Sequence, residues 1–314
     1  MTESLLDYLV KRNPTVIAPA GSAPGGPTFT FSEDWDTIEN VEEWSEFNYE
    51  TLTLRFGEDL RRQVPRFDAT SKCEEGGYNE IYDERGLCDL ICMSITGPVS
   101  AVLRPLFITS SGRVLESRGC YPDWGAGHNM VLNAEGRARA LVLGDTKFNW
   151  SPTNAITTVQ TTVNDSYEDA PMRDDVRPFE QVQYYGAVYK CRYVFIITEN
   201  ELVVMQLHLA PDPVRTSPRP VRTRPPPSHQ RVISSSEISK QFTDMSIDES
   251  VRESVLKARI GLVKYKRIPW SAEKGLTIRL ALYCLVRLAD EDGNDLKVEY
   301  SSLVSPVSMV EEGN

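Results

Sequence analysis

Histidine is scarce in this 314-residue chain. Only His128, His208 and His229 are present, so hydrolases that need several imidazoles, such as the H-E-x-x-H type, are excluded. The six cysteines, Cys73, Cys88, Cys92, Cys120, Cys191 and Cys284, include no C-x-x-C pair. That removes a zinc ribbon and a compact disulfide framework, and free thiols are expected. No apolar run approaches the roughly 18 residues that span a bilayer; the longest, Tyr193 to Thr198 and Leu202 to Ala210, have strand length. No membrane association is expected. Met1 to Lys11 lacks a basic region before its apolar residues and a small-residue cleavage site, so the expected location is intracellular, nuclear or cytoplasmic. No internal repeat is present.

Positive charge is in deficit as well. Lys and Arg number 34 against 45 Asp and Glu, a net charge of −11, which argues against coating nucleic acid by bulk electrostatics. Any polyanion site must be local. No Lys or Arg falls between Arg12 and Arg55, whereas Glu33 to Glu50 carries Glu33, Asp34, Asp36, Glu39, Glu42, Glu43, Glu46 and Glu50. Residues 1–50 therefore read as a linker and a disordered acidic N-terminal arm, able to compete with nucleic acid for a positive groove. Opposite in sign is Pro213 to Arg231, where Arg215, Arg219, Arg222, Arg224 and Arg231 alternate with prolines and no acid intervenes. It can be neither helix nor central strand. It reads as a surface insertion that could bind phosphate, offer a polyproline segment to a protein partner or act as a weak nuclear signal.

What is present is ordinary globular composition, 40% hydrophobic and 25% charged, enough for one large domain. That domain is expected over residues 51–290, with 213–253 as a flexible insertion and 291–314 as a C-terminal tail. Tyr78 to Ile95 places Ile81, Cys88, Ile91, Cys92 and Ile95 at helical spacing, with Glu80, Asp83 and Glu84 in the first turns, and predicts a core helix with Cys88 and Cys92 inside. Arg139 to Phe148 predicts a central strand covered on both faces. Phe179 to Lys190 predicts a helix after Pro178, followed by a hairpin of Tyr193 to Thr198 and Leu202 to Leu209 about Glu199-Asn200-Glu201. Ile260 to Tyr265 can add a strand. Leu276 to Ala289, apolar almost all round, predicts a deeply buried last helix.

Chemistry concentrates at Pro122-Asp123 and Asp145-Thr146-Lys147. Residues two apart on a strand share a face, so Asp145 and Lys147 point to one side, and Asp123 could meet them from a neighbouring strand. Two carboxylates and a lysine suit metal-assisted phosphodiester cleavage: hard oxygen donors hold Mg²⁺ (or Mn²⁺), and the lysine orients a nucleophile or stabilises the transition state. Asp295-Leu296-Lys297 has the same spacing but follows a turn signal and reads as a solvated ion pair. His128 could be a base or ligand, but Gly125-Ala126-Gly127 beside it suggests a mobile loop and an ordinary loop histidine.

The ordered motifs resemble the PD-(D/E)XK nuclease superfamily, especially its large fungal branch, over roughly Tyr78 to Ala289. They comprise Asn79-Glu80, Tyr121-Pro122-Asp123-Trp124, Leu143-Gly144-Asp145-Thr146-Lys147, Gln181-Val182-Gln183-Tyr184-Tyr185 (like a Q-x-x-x-Y motif), and Tyr265 to Trp270 with Leu276 to Leu282. The resemblance implies an α/β, restriction-endonuclease-like fold, a mixed central sheet flanked by helices. It implies Glu80, Asp123 and Asp145 as metal ligands and Lys147 as the catalytic lysine. Gln181 and Tyr185, four apart on a helix, would contact substrate or support the site; an ordinary half-buried helix face explains them equally, as macrodipole complementation does Glu80. The function implied is Mg²⁺-dependent cleavage of DNA or RNA. The alternative is a non-catalytic nucleic-acid-binding or protein-interaction module on the same scaffold.

Overall fold

The structure, a computed structural model, describes residues 1–19, 35–114, 121–134, 136–162, 173–211, 259–291 and 293–304. The Pro/Arg-rich segment 213–231 with His229, the rest of the 213–253 insertion, Cys120, Glu33 and Asp34 lie outside the described residues.

The chain opens with strand β1 (Thr2–Ser4) and helix α1 (Leu5–Leu9), and continues through β2 (Val41–Glu43), α2 (Tyr49–Arg55), α3 (Gly57–Leu60), β3 (Gln63–Pro65) and α4 (Ala69–Glu75). Then come α5 (Glu84–Ile91), a π-helical turn (Cys92–Thr96), α6 (Gly97–Leu103), β4 (Leu106–Ser110), β5 (Trp124–His128) and β6 (Val142–Thr146). Helices α7 (Pro152–Thr161) and α8 (Arg173–Tyr189) lead to β7 (Tyr193–Ile197), β8 (Glu201–Leu209), β9 (Ile260–Pro269) and α9 (Ile278–Glu291).

Seven strands form one mixed sheet in the order β2-β9-β8-β7-β6-β5-β4, and β1 pairs with β3 apart from it. β6 and β7 run parallel, joined by the α7–α8 crossover, and β2 runs parallel to β9; the remaining neighbours are antiparallel. Two hydrophobic layers cover the sheet. One gathers α1, α5, α6 and α9 with Trp124, Val142, Phe195 and Val204; the other gathers α7 and α8 with Leu143, Val194, Ile196 and Val203. Strand alternation sends successive residues of β6 to opposite layers, as its continuous burial requires. At Gly144 a Cβ would sit 2.2 Å from the Phe195 ring, so only glycine lets β6 approach β7 here.

Several expectations are corrected. Residues 1–19 and 35–50 are not a free acidic arm. Leu5 and Leu9 are fully buried, Asn13 donates to the Trp270 carbonyl (2.8 Å), and Trp270 Nε1 donates to the Pro14 carbonyl (2.7 Å). Ile38, Val41, Trp44 and Phe47 recur every third residue among the acids and go inward, with Trp44 stacked on Tyr193. The acids between them face out, Glu43 to Lys266 and Glu39 to Arg259. The first core helix starts at Glu84 rather than Tyr78, because the Asp83 side chain caps it by accepting from Gly86 N–H (2.7 Å). On it Cys88 is half-buried, and Cys92 beyond it is exposed.

Gly125-Ala126-Gly127 is strand rather than loop. Gly125 lies so close to Val114 that a Cβ would meet its Cγ2 at 2.1 Å, so the glycines serve packing there. α8 begins six residues before Phe179 with Pro178 inside it; the turn ahead of the proline is tied by Arg173 donating to buried Glu180 (2.9 Å). β9 extends beyond Tyr265 to Pro269. The stretch Glu84–Leu103 is long and apolar enough to cross a bilayer by length and composition, but 56% of its most apolar 18 residues is buried within the fold.

Candidate active site

The antiparallel register of β5 and β6 sets Trp124 opposite Gly144. One step beyond the ladder, Asp123 falls across from Asp145, a relation that holds Cβ atoms about 5 Å apart on one face. Asp123 is fixed there by its own chemistry. Lys147 N–H already serves β7, donating to the Ile197 carbonyl (3.0 Å), while Thr146 N–H faces the β5 side. The Asp123 carboxylate accepts that Thr146 N–H (2.8 Å) and so replaces a ladder acceptor. The Thr146 hydroxyl, on the opposite face, accepts from Trp124 Nε1 (2.8 Å). Both motif strands are thus pinned immediately beside the acids.

Asp145 is 3% exposed, and its carboxylate makes a close ion pair with the Lys147 ammonium, as their shared face requires. Apart from that ion pair, Oδ2 of Asp145 has no hydrogen-bond donor among the described residues. Burial pushes the Asp145 carboxyl up to about 7; Lys147 opposes the rise, and Asp123 and Glu84 add to it. Burial works to lower Lys147, yet Asp145, Glu84 and Asp123 hold it above the ordinary lysine value, so the ammonium stays charged.

Glu84, first residue of α5, is the acid that sequence reasoning passed over. Its carboxylate accepts from Phe148 N–H, and its pKa is raised by desolvation and by Asp123, against the pull of Lys147. The signal was present in the sequence: an aspartate followed by glutamate at a helix start marks Asp83 as the cap and puts Glu84 in the first turn. Cys88, one turn on, hydrogen-bonds Thr146; burial pushes its thiol up to about 12, and the neighbouring carboxylates add to the rise.

Glu80 and His128 lie elsewhere. Glu80 is exposed beside Tyr82, and its backbone bridges to Ile17. Gln181 donates to the Tyr185 hydroxyl (2.6 Å), a buried pair on α8, which packs over β6 and β7. His128 ends β5, away from Asp123, and its Nδ1 accepts from Met130 N–H (3.0 Å). Asp295 pairs with Arg139 (3.0 Å), in the open as expected, although its partner is not Lys297.

Among the described residues no three His, Cys, Asp or Glu side chains form a ready cage for a metal ion. What the site offers is three carboxylates against one ammonium, with an acceptor oxygen on Asp145 served by Lys147 alone. Hard, anionic oxygens of this kind fit Mg²⁺ or Mn²⁺, which keeps several of its own waters and needs only one or two protein carboxylates. Comparison with protein-family models, with curated proteins and with solved structures finds no match.

Proposed function

We propose that residues of this sheet form a PD-(D/E)XK nuclease-like core and that the chain hydrolyses phosphodiester bonds of DNA or RNA. The observation that carries this reading is the meeting of Asp123, Asp145, Lys147 and Glu84 at one end of β5 and β6. Asp123 and Asp145 would hold Mg²⁺ or Mn²⁺, and Glu84 takes the place expected of Glu80. The ion, when bound, lowers the pKa of its water and offsets charge on the scissile phosphate. Thr146 N–H orients Asp123, and α5 presents Glu84 from its first turn. Lys147, kept protonated by three neighbouring acids, donates to a phosphate oxygen or to the attacking water in the transition state.

The alternative, a non-catalytic binding module, is favoured by one observation: Lys147 closes on Asp145 in an ion pair. Calorimetric titration with Mn²⁺ and Mg²⁺, paired with cleavage assays on single- and double-stranded DNA and RNA, separates the two. The nuclease reading expects metal binding that Asp145→Asn abolishes, with metal-dependent cleavage. Metal binding without turnover on any nucleic acid supports the alternative; a wild-type protein that binds neither metal refutes the nuclease.

A further inference from the structure

Beside the edge strand β4, the π-helical turn and α6 enclose a cavity of about 720 Å³. Among the described residues no aspartate or glutamate lines it, in a chain of net charge −11, while Arg104 and Arg113 both do. Arg104 is exposed, and no described side chain pairs with it. Arg113 lies over the Phe107 ring, 4.2 Å from its centroid, and donates to Asn129 Oδ1 (2.7 Å), so its guanidinium is aimed by an aromatic face and an amide. The remaining wall mixes apolar residues, Ala101, Leu106 and Met130 among them, with Ser100, Thr109 and Asn129.

Thr96 adds an independent sign of a missing partner. It lines the cavity, is 1% exposed, and its hydroxyl has no hydrogen-bond partner among the described residues. Ser94, two residues earlier, satisfies its hydroxyl on the Leu90 carbonyl four residues back (2.7 Å). The equivalent carbonyl for Thr96 is that of Cys92, which the π-turn engages with Gly97 N–H instead. A buried hydroxyl left unpaired costs about 1–3 kcal/mol, and π-turns concentrate at functional sites. A ligand acceptor or donor would remove that cost.

We propose that this cavity binds a nucleotide, with its phosphate on Arg104 and Arg113 and its base and sugar against the mixed apolar and polar wall. Two guanidiniums without a competing acid select a dianionic oxygen cluster over a cation. The volume falls in the range of small-molecule sites, far larger than a bare phosphate needs. Thr109, at one end of the cavity, stands across from Gly125, two residues from Asp123. The nucleotide is therefore either free or one unit of a strand that also reaches the carboxylates; only the strand source rests on the nuclease reading.

The test is calorimetric titration of the full chain in EDTA with inorganic phosphate, adenosine monophosphate and a ten-residue single-stranded oligoadenylate. Adenosine monophosphate should bind at least about tenfold tighter than phosphate, the surplus coming from the buried base. Arg104→Ala should weaken it about tenfold or more, with Arg104→Lys intermediate, since a charge-assisted contact to phosphate is lost or blunted. Thr96→Val should weaken binding while leaving Tm unchanged or raised, an outcome that a merely structural hydroxyl does not give. Asp145→Asn should keep nucleotide affinity, so that failure at the carboxylate site is told apart from failure here. Competition between oligoadenylate and mononucleotide supports the strand source; mononucleotide binding without competition supports a free nucleotide. No binding by wild type, equal affinity for phosphate and nucleotide, or full affinity in Arg104→Ala overturns the proposal.

Discussion

Two acidic regions of this chain have similar composition and opposite fates. In the strip 36–50 the carboxylates stand outward, against Lys266 and Arg259 or, for Glu46, accepting from Ser302 and Leu303, while Ile38, Val41, Trp44 and Phe47 hold the strip to the sheet. At the ends of β5 and β6 and the start of α5, fewer carboxylates crowd together with one lysine, and Asp145 is removed from water. Solvated acids cost little and do little. Crowded, buried acids are costly, and an uncompensated cost of this kind marks a place where a cation or a reaction can repay it.

The contrast is broken most forcefully inside the strip. Trp44→Ala removes the ring that stacks on Tyr193 and should cost about 4 kcal/mol by urea denaturation, as buried aromatic truncations do. A loss below about 1 kcal/mol would mean that the strip is held loosely after all. Lys147→Ala comes next. It strips the buried Asp145 of its ion-pair partner and should cost about 3 kcal/mol at pH 8, and less at pH 5, where Asp145 carries a proton. If the chain is a nuclease, the same variant should cleave about 10² times more slowly with metal affinity nearly unchanged, because the ammonium acts in the transition state.

The comparison is sharpened by pH. The folded-state pKa of Asp145, about 7, lies above its ordinary value of 3.8, so between these values the native protein binds more protons than the unfolded chain. The stabilisation from this group is complete below pH 3.8 and is lost as pH rises through about 7. Denaturation midpoints of wild type should therefore fall across that window relative to those of Asp145→Asn; parallel curves would show that Asp145 titrates normally. The smallest effect is expected at Glu43→Gln. Loss of its exposed pair with Lys266 should change stability by no more than about 0.5 kcal/mol, and 0.5 M salt should erase the difference.

Much of the architecture was legible because its signals are local. The β7–β8 hairpin shows as two β-rich runs about a polar turn, and α9 as a helical stretch apolar on every side. β6 shows as an apolar run ending in Asp145-Thr146-Lys147. The β5 glycines misled, because residues that usually loosen a chain were here making room for Val114 and Ala138. The acidic strip misled because its charge density outweighed an apolar period of three.

By itself, then, the sequence determined the side-chain chemistry and the short-range geometry: a carboxylate and a lysine two apart on a strand must share a face, whatever else the chain does. Only the tertiary structure decided which distant residues join them. Asp123 comes opposite Asp145 through strand register, Glu84 rather than Glu80 comes near Asp123 and Lys147 through the placing of a helix cap, and Thr96 loses its carbonyl partner through a π-turn. Those outcomes depend on pairing and burial between segments far apart in the chain, and on desolvation that exists only once the layers close over the sheet.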